Sequence, residues 1–277
     1  MADASGAAPV ENAGFPGDDL ELFARLRMQP EVSWPAIAIF FAAFAVIFAA
    51  CALALSGALP FWSAALINGV AAYVLSTPFH EASHSMVARN RFVNDLFGRL
   101  SLFYISPFIP YTLFRFIHFI HHRDANGESD VADRFVAEGP VALRPVRWWF
   151  LDVSYAIVYF SKYFAARPMS EKLDVLSAVA ATVAVWGGLI AAGYGFETLM
   201  LWIIPTRIAL FLMTVTLAVM PHHPHDVGHR TDPYRATSIR DGAEWFWTPV
   251  LMCQNYHLVH HLYPNVPFYR LKRIWNS

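Results

Sequence analysis

The chain has 277 residues, of which 56% are hydrophobic and 15% are charged, and its formal net charge is −1. Soluble domains contain roughly 45–50% apolar and about 25% charged residues, so this composition indicates a membrane protein. The sequence contains no basic block, which argues against nucleic acid as a partner. Cys51 and Cys253 lie far apart and form neither a disulfide framework nor a CxxC pair, which fits a reducing compartment.

The N-terminal stretch differs in composition from the rest of the chain. Residues 1–34 are polar, acidic and rich in Ala, Gly and Pro, whereas residues 35–277 carry the apolar runs and are predicted to form one membrane domain. The first part lacks a basic segment followed by a short apolar core, so we expect no cleavable signal peptide. A short surface helix is expected over residues 18–28.

Four apolar runs are long enough to cross a bilayer, whose hydrocarbon core of about 30 Å needs roughly 20 helical residues. The runs are residues 36–58, 61–79, 175–194 and 198–220. Leu59-Pro60 separates the first two into a hairpin. Pro78 is predicted to interrupt the second helix just before His80, with Thr77 as the N-cap of a new turn. The predicted fold is therefore all-α, a multi-pass membrane protein with four transmembrane helices.

The chain between the second and third runs is mixed in character. Residues 100–111 are apolar but contain two prolines, and we expect a re-entrant or interfacial segment there. Residues 123–147 have the charged composition of a loop, and residues 148–164 suit a helix in the headgroup layer. Arg207, inside the fourth run, is either a functional residue or a side chain that pairs or snorkels within the bundle, and we expect the second.

The positive charges indicate the orientation of the chain. Of 20 Lys and Arg residues, 11 lie between His80 and Lys172 and six follow Pro221, whereas the two hairpin turns contain none. Positively charged loops stay on the cytoplasmic side. We therefore expect an inner-membrane protein whose termini and histidines all face the cytoplasm.

The 12 histidines are concentrated in four places. Residues 80–84 spell HEASH, residues 118–122 spell HFIHH, residues 257–261 spell HLVHH, and the other four histidines lie within residues 222–229. Histidines at i, i+3 or i+4 lie on the same side of a helix, and neutral imidazole binds transition metals. Eight box histidines exceed the four ligands of tetrahedral zinc and suit two six-coordinate ions with positions left for oxygen. We predict one shared metal centre.

At these boxes the sequence resembles the membrane fatty-acid desaturase and hydroxylase superfamily, which carries HxxxH, HxxHH and HxxHH boxes. The resemblance covers roughly residues 60–275, and the β-carotene hydroxylase-like branch looks most similar, although Glu81 stands where that branch has Asp. Acyl-lipid desaturases resemble the chain too, although many have an acidic residue where Val259 stands. The resemblance implies a diiron centre with almost all-histidine ligation in a cytoplasmic cap. The implied ligands are His80, His84, His118, His121, His122, His257, His260 and His261.

The resemblance also implies a further ligand just after the fourth span, for which His222 fits best and His225 second. His223 and His229 are expected to be solvated. Side chains that could orient the imidazoles from behind are Asp130, Asp226 and Asn255, although each is equally well explained as a surface residue near a turn.

The implied reaction is reductive activation of O2 at two irons, followed by hydrogen abstraction from an unactivated C–H bond. Return of the hydroxyl group gives an alcohol, and a second abstraction gives an alkene. The expected substrate is a long apolar lipid, either a carotenoid or a fatty-acyl chain, with hydroxylation favoured. The sequence has no iron–sulfur, haem-attachment or GxGxxG motif, so we expect a separate electron donor such as ferredoxin.

Two other functions are compatible with part of the pattern. HEASH also satisfies the HExxH motif, in which two histidines bind zinc and the glutamate activates water, as in an intramembrane metalloprotease. That interpretation leaves both HxxHH boxes unexplained. A metal transporter would place its ligands near the bilayer midplane, whereas these lie at the ends of the spans.

Seven aromatic residues lie before the second histidine box, between residues 97 and 116. They either line a groove for a lipid substrate or anchor the chain at the membrane interface, and we expect the second. They are Phe97, Phe103, Tyr104, Phe108, Tyr111, Phe114 and Phe116.

Overall fold

The computed structural model describes residues 17–276, and within them the regular structure is helical, with one isolated bridge between Val32 and Ala88. Residues 1–16 of the polar N-terminal stretch lie outside the described residues. The expected surface helix near its end is present as α1. The helices are α1 (Gly17–Leu26), α2 (Trp34–Leu55), α3 (Phe61–Val74), α4 (Ser76–Ser83), α5 (Arg91–Ile105), α6 (Tyr111–Asp124), α7 (Val131–Ala137), α8 (Arg144–Arg147), α9 (Leu151–Val158), α10 (Met169–Ala191), α11 (Gly195–His222), α12 (Glu244–Val250), α13 (His257–Leu262) and α14 (Leu271–Trp275).

Three helices, α2, α10 and α11, are long and apolar enough to cross a membrane. The second predicted run is divided, because α3 ends at Val74 and α4 begins at Ser76. At 1.5 Å per residue the 14 residues of α3 reach about 21 Å, short of a 30 Å hydrocarbon core. A fourth span over residues 61–79 therefore remains a prediction.

The break before the first histidine box lies earlier than the sequence indicated. Leu75, not Thr77, stands at the N-cap of α4, and no side chain caps that helix. Pro78 falls in the first turn of α4, where backbone N–H groups have no partner within the helix. Pro78 is therefore compatible with an unbroken α4, and His80 lies inside a helix that continues to Ser83.

The middle of the chain is more helical than its charge suggested. Residues 100–105 complete α5, so the expected re-entrant segment reduces to a short link before α6. The predicted loop over residues 123–147 contains α7, whose first turn is capped by Asp130 Oδ1, an acceptor for Ala132 N at 2.9 Å and Asp133 N at 3.3 Å. Residues 148–164 are helical as predicted.

A backbone carbonyl near Pro205 accepts hydrogen bonds from two neighbouring helices. Pro205 has no N–H to donate to the carbonyl of Leu201, four residues earlier in α11. That carbonyl instead accepts from Asn68 Nδ2 of α3 at 3.3 Å and from the Tyr104 hydroxyl of α5 at 3.0 Å. Neighbouring helices thus supply the hydrogen bonds that an apolar environment requires.

Because Asn68 and Tyr104 donate to the same carbonyl, their contributions to stability are expected to depend on each other. Asn68→Leu and Tyr104→Phe are each expected to cost less than about 1 kcal/mol, because the other donor remains. The double replacement removes both side-chain donors of this carbonyl and is expected to cost about 1–2 kcal/mol more than the sum of the single ones. Unfolding in mixed detergent and SDS measures the three free energies, and strict additivity would show that the contact is not shared.

Arg207 is paired inside the bundle, in agreement with the structural interpretation of its position. Its guanidinium forms two hydrogen bonds with the carboxylate of Asp152, at 2.6 and 3.0 Å. Ser106 Oγ donates to the same carboxylate at 3.0 Å. The positive charge within α11 is therefore neutralised by a residue of α9.

Candidate metal centre

Nine histidines converge from four helices. α4 carries His80 and is followed by His84, and the apolar helix α11 ends at His222. The two HxxHH boxes lie in α6 and α13. Every one of these nine residues is at most 8% exposed. Loss of water from so many polar rings is unfavourable unless the rings bind something in its place.

The nine imidazoles form two groups, and within each group the ligand nitrogens lie within 4.8 Å of one another. Together they are the nine residues that the sequence predicted as metal ligands. Group A contains His80, His84, His118, His122 and His260, and group B contains His121, His222, His257 and His261.

Each HxxHH box contributes to both groups. In α6 the i, i+4 pair His118 and His122 belongs to group A, whereas His121 belongs to group B. In α13 the assignment is reversed, because the pair His257 and His261 belongs to group B and His260 to group A. Residues one position apart on a helix point about 100° apart, so one short helix can serve two sites.

The nitrogen separations fit metal ligation. The Nε2 atoms of His84 and His118 are 2.8 Å apart, and those of His122 and His260 are 3.1 Å apart. In group B the Nε2 atom of His257 lies 3.0 Å from His222 and 3.1 Å from His261. Two ligands at right angles, each about 2.1 Å from an ion, are about 3 Å apart. The residues present therefore fit two ions.

The protonation state of the imidazoles also suits metals. Burial, and secondly the neighbouring imidazoles, lowers the pKa of His80 to about 3. The same causes hold the pKa of His118 and His260 well below the usual range. These rings are neutral near pH 7, and the neutral ring is the form that binds a metal ion.

Group B has hydrogen-bonding partners behind its rings. Asp130 Oδ2 lies 3.0 Å from His121 Nδ1, and Gln254 Oε1 lies 2.9 Å from His257 Nδ1. Asp133 Oδ2 is 3.2 Å from His222 Nδ1, although the angle is outside that of a hydrogen bond. The Nδ1 atoms of His84, His122 and His260 in group A, and that of His261 in group B, are buried without a partner among the described residues, so that contacts of this kind occur at two rings of group B and at none of these three rings of group A. The two groups are therefore chemically unequal.

The sequence predicted only some of the side chains that contact the Nδ1 atoms of the imidazoles. Asp130 contacts an imidazole as proposed, whereas Asp226 is exposed and Asn255 bonds to the backbone of Arg240. Asp133 and Gln254 were missed. The available signals were an acidic residue three positions after the helix cap Asp130, and a glutamine three positions before His257.

His225, the second candidate for the extra ligand, contacts Asn126 and belongs to neither metal group. Asn126 Oδ1 lies 3.0 Å from His225 Nδ1, and Asn126 Nδ2 donates to the backbone of the same loop at Val227 and Ala236. His225 thus belongs to this loop contact, and group B contains His222. His223, which is exposed, and His229 also lie outside both groups.

Glu81 of the HExxH motif belongs to neither group of histidines. Its side chain is 1% exposed, and Oε2 accepts a hydrogen bond from the backbone N–H of Phe268 at 3.0 Å. A glutamate that activates water must lie beside the metal site. Here Glu81 instead holds the C-terminal segment against α4.

An apolar cavity of about 720 Å³, including its open mouth, adjoins both groups. Its wall includes His80 and His118 of group A and His121 and His257 of group B. Of the seven aromatic residues considered for a groove, Phe114 lines this cavity. The rest of the wall comes mainly from α9 and α11, so the two helices rather than the aromatic cluster shape it.

Comparison with known proteins agrees with this arrangement. The sequence model of the fatty acid desaturase family matches residues 56–277. The chain belongs to the fatty acid desaturase family. The resemblance drawn from the histidine boxes is thereby confirmed, and both groups of histidines lie within the matched desaturase region.

Three curated relatives are 24–30% identical to this chain over the aligned residues. An sn-1 acyl-lipid omega-3 desaturase (ferredoxin) of Synechocystis is 24% identical over 77% of the chain and 65% of its own length. A chloroplastic omega-6 fatty acid desaturase of Arabidopsis thaliana is 24% identical over 78% of the chain and 51% of its own length. A beta-carotene ketolase of a Paracoccus species is 30% identical over 70% of each protein. The chain thus spans between half and two thirds of the length of these two desaturases.

Proposed function

We propose that this protein is an oxygen-dependent diiron membrane oxidoreductase that oxidises an unactivated C–H bond of a long apolar lipid. The observation that carries the proposal is the position of two groups of buried, neutral histidines at the wall of one apolar cavity. The family and the names of its relatives support lipid chemistry, with either a fatty-acyl chain or a carotenoid as substrate. Hydroxylation is favoured over desaturation.

The side chains of groups A and B would hold one iron each. When bound, the two irons supply reductive activation of O2 and abstraction of hydrogen from carbon. The protein fixes the nitrogen donors in advance, since helices α4, α6, α11 and α13 position them and the Nδ1 contacts orient two rings of group B. The apolar wall excludes water and admits a hydrocarbon chain beside four of the imidazoles.

Electrons would come from a separate protein of the ferredoxin type. The name of the Synechocystis relative includes the word ferredoxin, which supports a donor of this type. We further propose four membrane spans, with both termini and both histidine groups on the cytoplasmic side, where a soluble donor has access. The distribution of Lys and Arg supports this orientation.

The zinc protease and metal transporter alternatives receive less support from the geometry. The carboxylate of Glu81 accepts from the backbone of Phe268 and is not among the clustered ligand atoms. The HxxHH boxes, which a protease leaves without a role, supply six of the nine clustered histidines. A transporter needs a path for the ion, whereas the cavity beside these groups is apolar.

Metal content tests the proposed function directly. Elemental analysis of the purified protein, with Mössbauer spectroscopy after growth on iron-57, is expected to give two irons per chain in high-spin sites. One zinc and no iron, from cells supplied with both metals, would replace the oxidoreductase with the HExxH protease.

A further inference from the structure

An aromatic side chain at the protein surface contacts a histidine of group A. Phe119 is 42% exposed, although it lies directly after His118 in the α6 box. Its ring meets that of His84 at nearly a right angle, with the two ring centroids 5.7 Å apart. His84 Nε2 lies 2.8 Å from His118 Nε2. The Phe119 ring therefore connects the surface with the donor atoms of group A.

Two arginines flank Phe119 on the same side of α6. Arg115 and Arg123 stand four positions before and after it, the spacing that places side chains on one helix face. The guanidinium of Arg115 lies 5.5 Å from the centre of the Phe119 ring. Among the described residues neither arginine has a carboxylate within 4.0 Å, whereas eight other cationic side chains do. These three residues form the α6 patch, an exposed ring between two unpaired positive charges.

The approach to group B differs in charge. His229 is half-buried there, and its ring centroid lies 6.2 Å from that of His261. The next residue, Arg230, is paired with Asp124, and Asp226 is exposed in the same loop. A negatively charged partner therefore meets unpaired arginines beside group A, whereas the arginine next to His229 is already neutralised.

We propose that the α6 patch is the docking site of the electron donor, an acidic iron–sulfur protein, and that electrons enter group A through it. The inference rests on the proposed function, which requires such a donor. The arginines attract the acidic partner, and Phe119 supplies the aromatic contact at the centre of the interface. At each docking one electron leaves the iron–sulfur cluster, which is oxidised, and reduces a ferric ion held by group A. Two dockings supply the two electrons that each O2 consumes, and the accompanying protons come from water.

The position of Phe119 favours a redox partner over a lipid headgroup. Unpaired arginines also bind anionic lipids. Lipid binding needs no contact with a metal ligand, whereas electron transfer becomes faster as the two redox centres approach each other. The contact between Phe119 and His84 provides such a short approach.

Binding of a plant-type [2Fe–2S] ferredoxin, which is acidic, tests the docking site. Its dissociation constant for the detergent-purified protein is measured by biolayer interferometry at low and high salt. Arg115→Glu and Arg123→Glu are each expected to weaken binding by about threefold to tenfold at low salt. The difference from the wild type should disappear at about 1 M salt, where charges are screened within about 3 Å. Phe119→Ala is expected to weaken binding by about fivefold at both salt concentrations, because salt does not screen an apolar contact.

Arg235→Glu is the matched control for the arginine variants. Arg235 is also exposed and without a carboxylate partner among the described residues, but it lies in the loop after α11. The replacement changes the net charge equally and is expected to leave the ferredoxin affinity unchanged. Equal weakening in Arg235→Glu and Arg123→Glu would show that net charge rather than the α6 patch attracts the donor, and would overturn the inference.

Two further measurements on the same samples separate the remaining outcomes. Loss of co-purified phosphatidylglycerol from Arg115→Glu and Arg123→Glu, with unchanged ferredoxin affinity, would assign the arginines to lipid headgroups and overturn the docking site. Iron content is also determined. A wild-type protein that holds two irons but does not bind ferredoxin would overturn the docking site alone, whereas a protein without iron would overturn the diiron proposal itself.

Discussion

His118→Ala is expected to lower the iron content from two to about one per chain and to abolish turnover, while the protein still inserts into the membrane. His118 is central to group A, since its Nε2 lies 2.8 Å from that of His84 and 3.1 Å from that of His122. His260→Ala is expected to have the same effect, because His260 reaches group A from the far end of the chain. Elemental analysis and the yield of oxidised lipid measure the two effects.

His223→Ala is the matched control for these replacements. His223 directly follows His222 but is exposed and belongs to neither group. Its replacement is expected to change neither iron content nor product. Full activity of His118→Ala or His260→Ala would show that the two groups do not form one shared centre.

Asp130→Asn is expected to weaken retention of one iron by about 10–100-fold and to leave the other unchanged. The asparagine keeps the Oδ1 acceptor that caps α7, but it places an amide where Oδ2 faces His121 Nδ1. Because His121 belongs to group B, the change falls on one site. Removal of iron by a chelator should become biphasic, and one of two Mössbauer doublets should shift.

Asp124→Asn provides the comparison for Asp130→Asn. Asp124 is also buried, and its carboxylate bonds to the backbone of Ser129 and to Arg230, but it contacts no imidazole. Its replacement is expected to leave both doublets in place. A shift of both doublets in Asp130→Asn, or of neither, would contradict the assignment of Asp130 to group B alone.

The sequence was sufficient to predict which histidines cluster, because the spacing within each box is local. An i, i+4 pair such as His257 and His261 lies on one helix side in any fold that keeps the helix. The division into groups A and B was beyond sequence reasoning. It depends on how α6 and α13 face each other, and those helices are separated by more than a hundred residues.

Long-range pairing explains the other differences. The partner of Arg207 is Asp152, 55 positions away, and spacing within α11 does not reveal it. Helix α7 lies where the charged sequence predicts a loop, because charged residues are typical of a solvated segment, whereas Asp130 and Asp133 are almost fully buried. The break at Leu75 was placed at Pro78, since proline is the stronger local signal.

Each HxxHH box supplies histidines to both groups, and this limits which mutations can remove one metal site alone. A one-residue insertion between the first histidine of either box and its adjacent pair would turn that pair by about 100°, and the two members of the pair belong to different groups. Deleting a box has the same double effect. A single-iron form of the protein is therefore expected from point replacement within one group, and not from an insertion or deletion in a box.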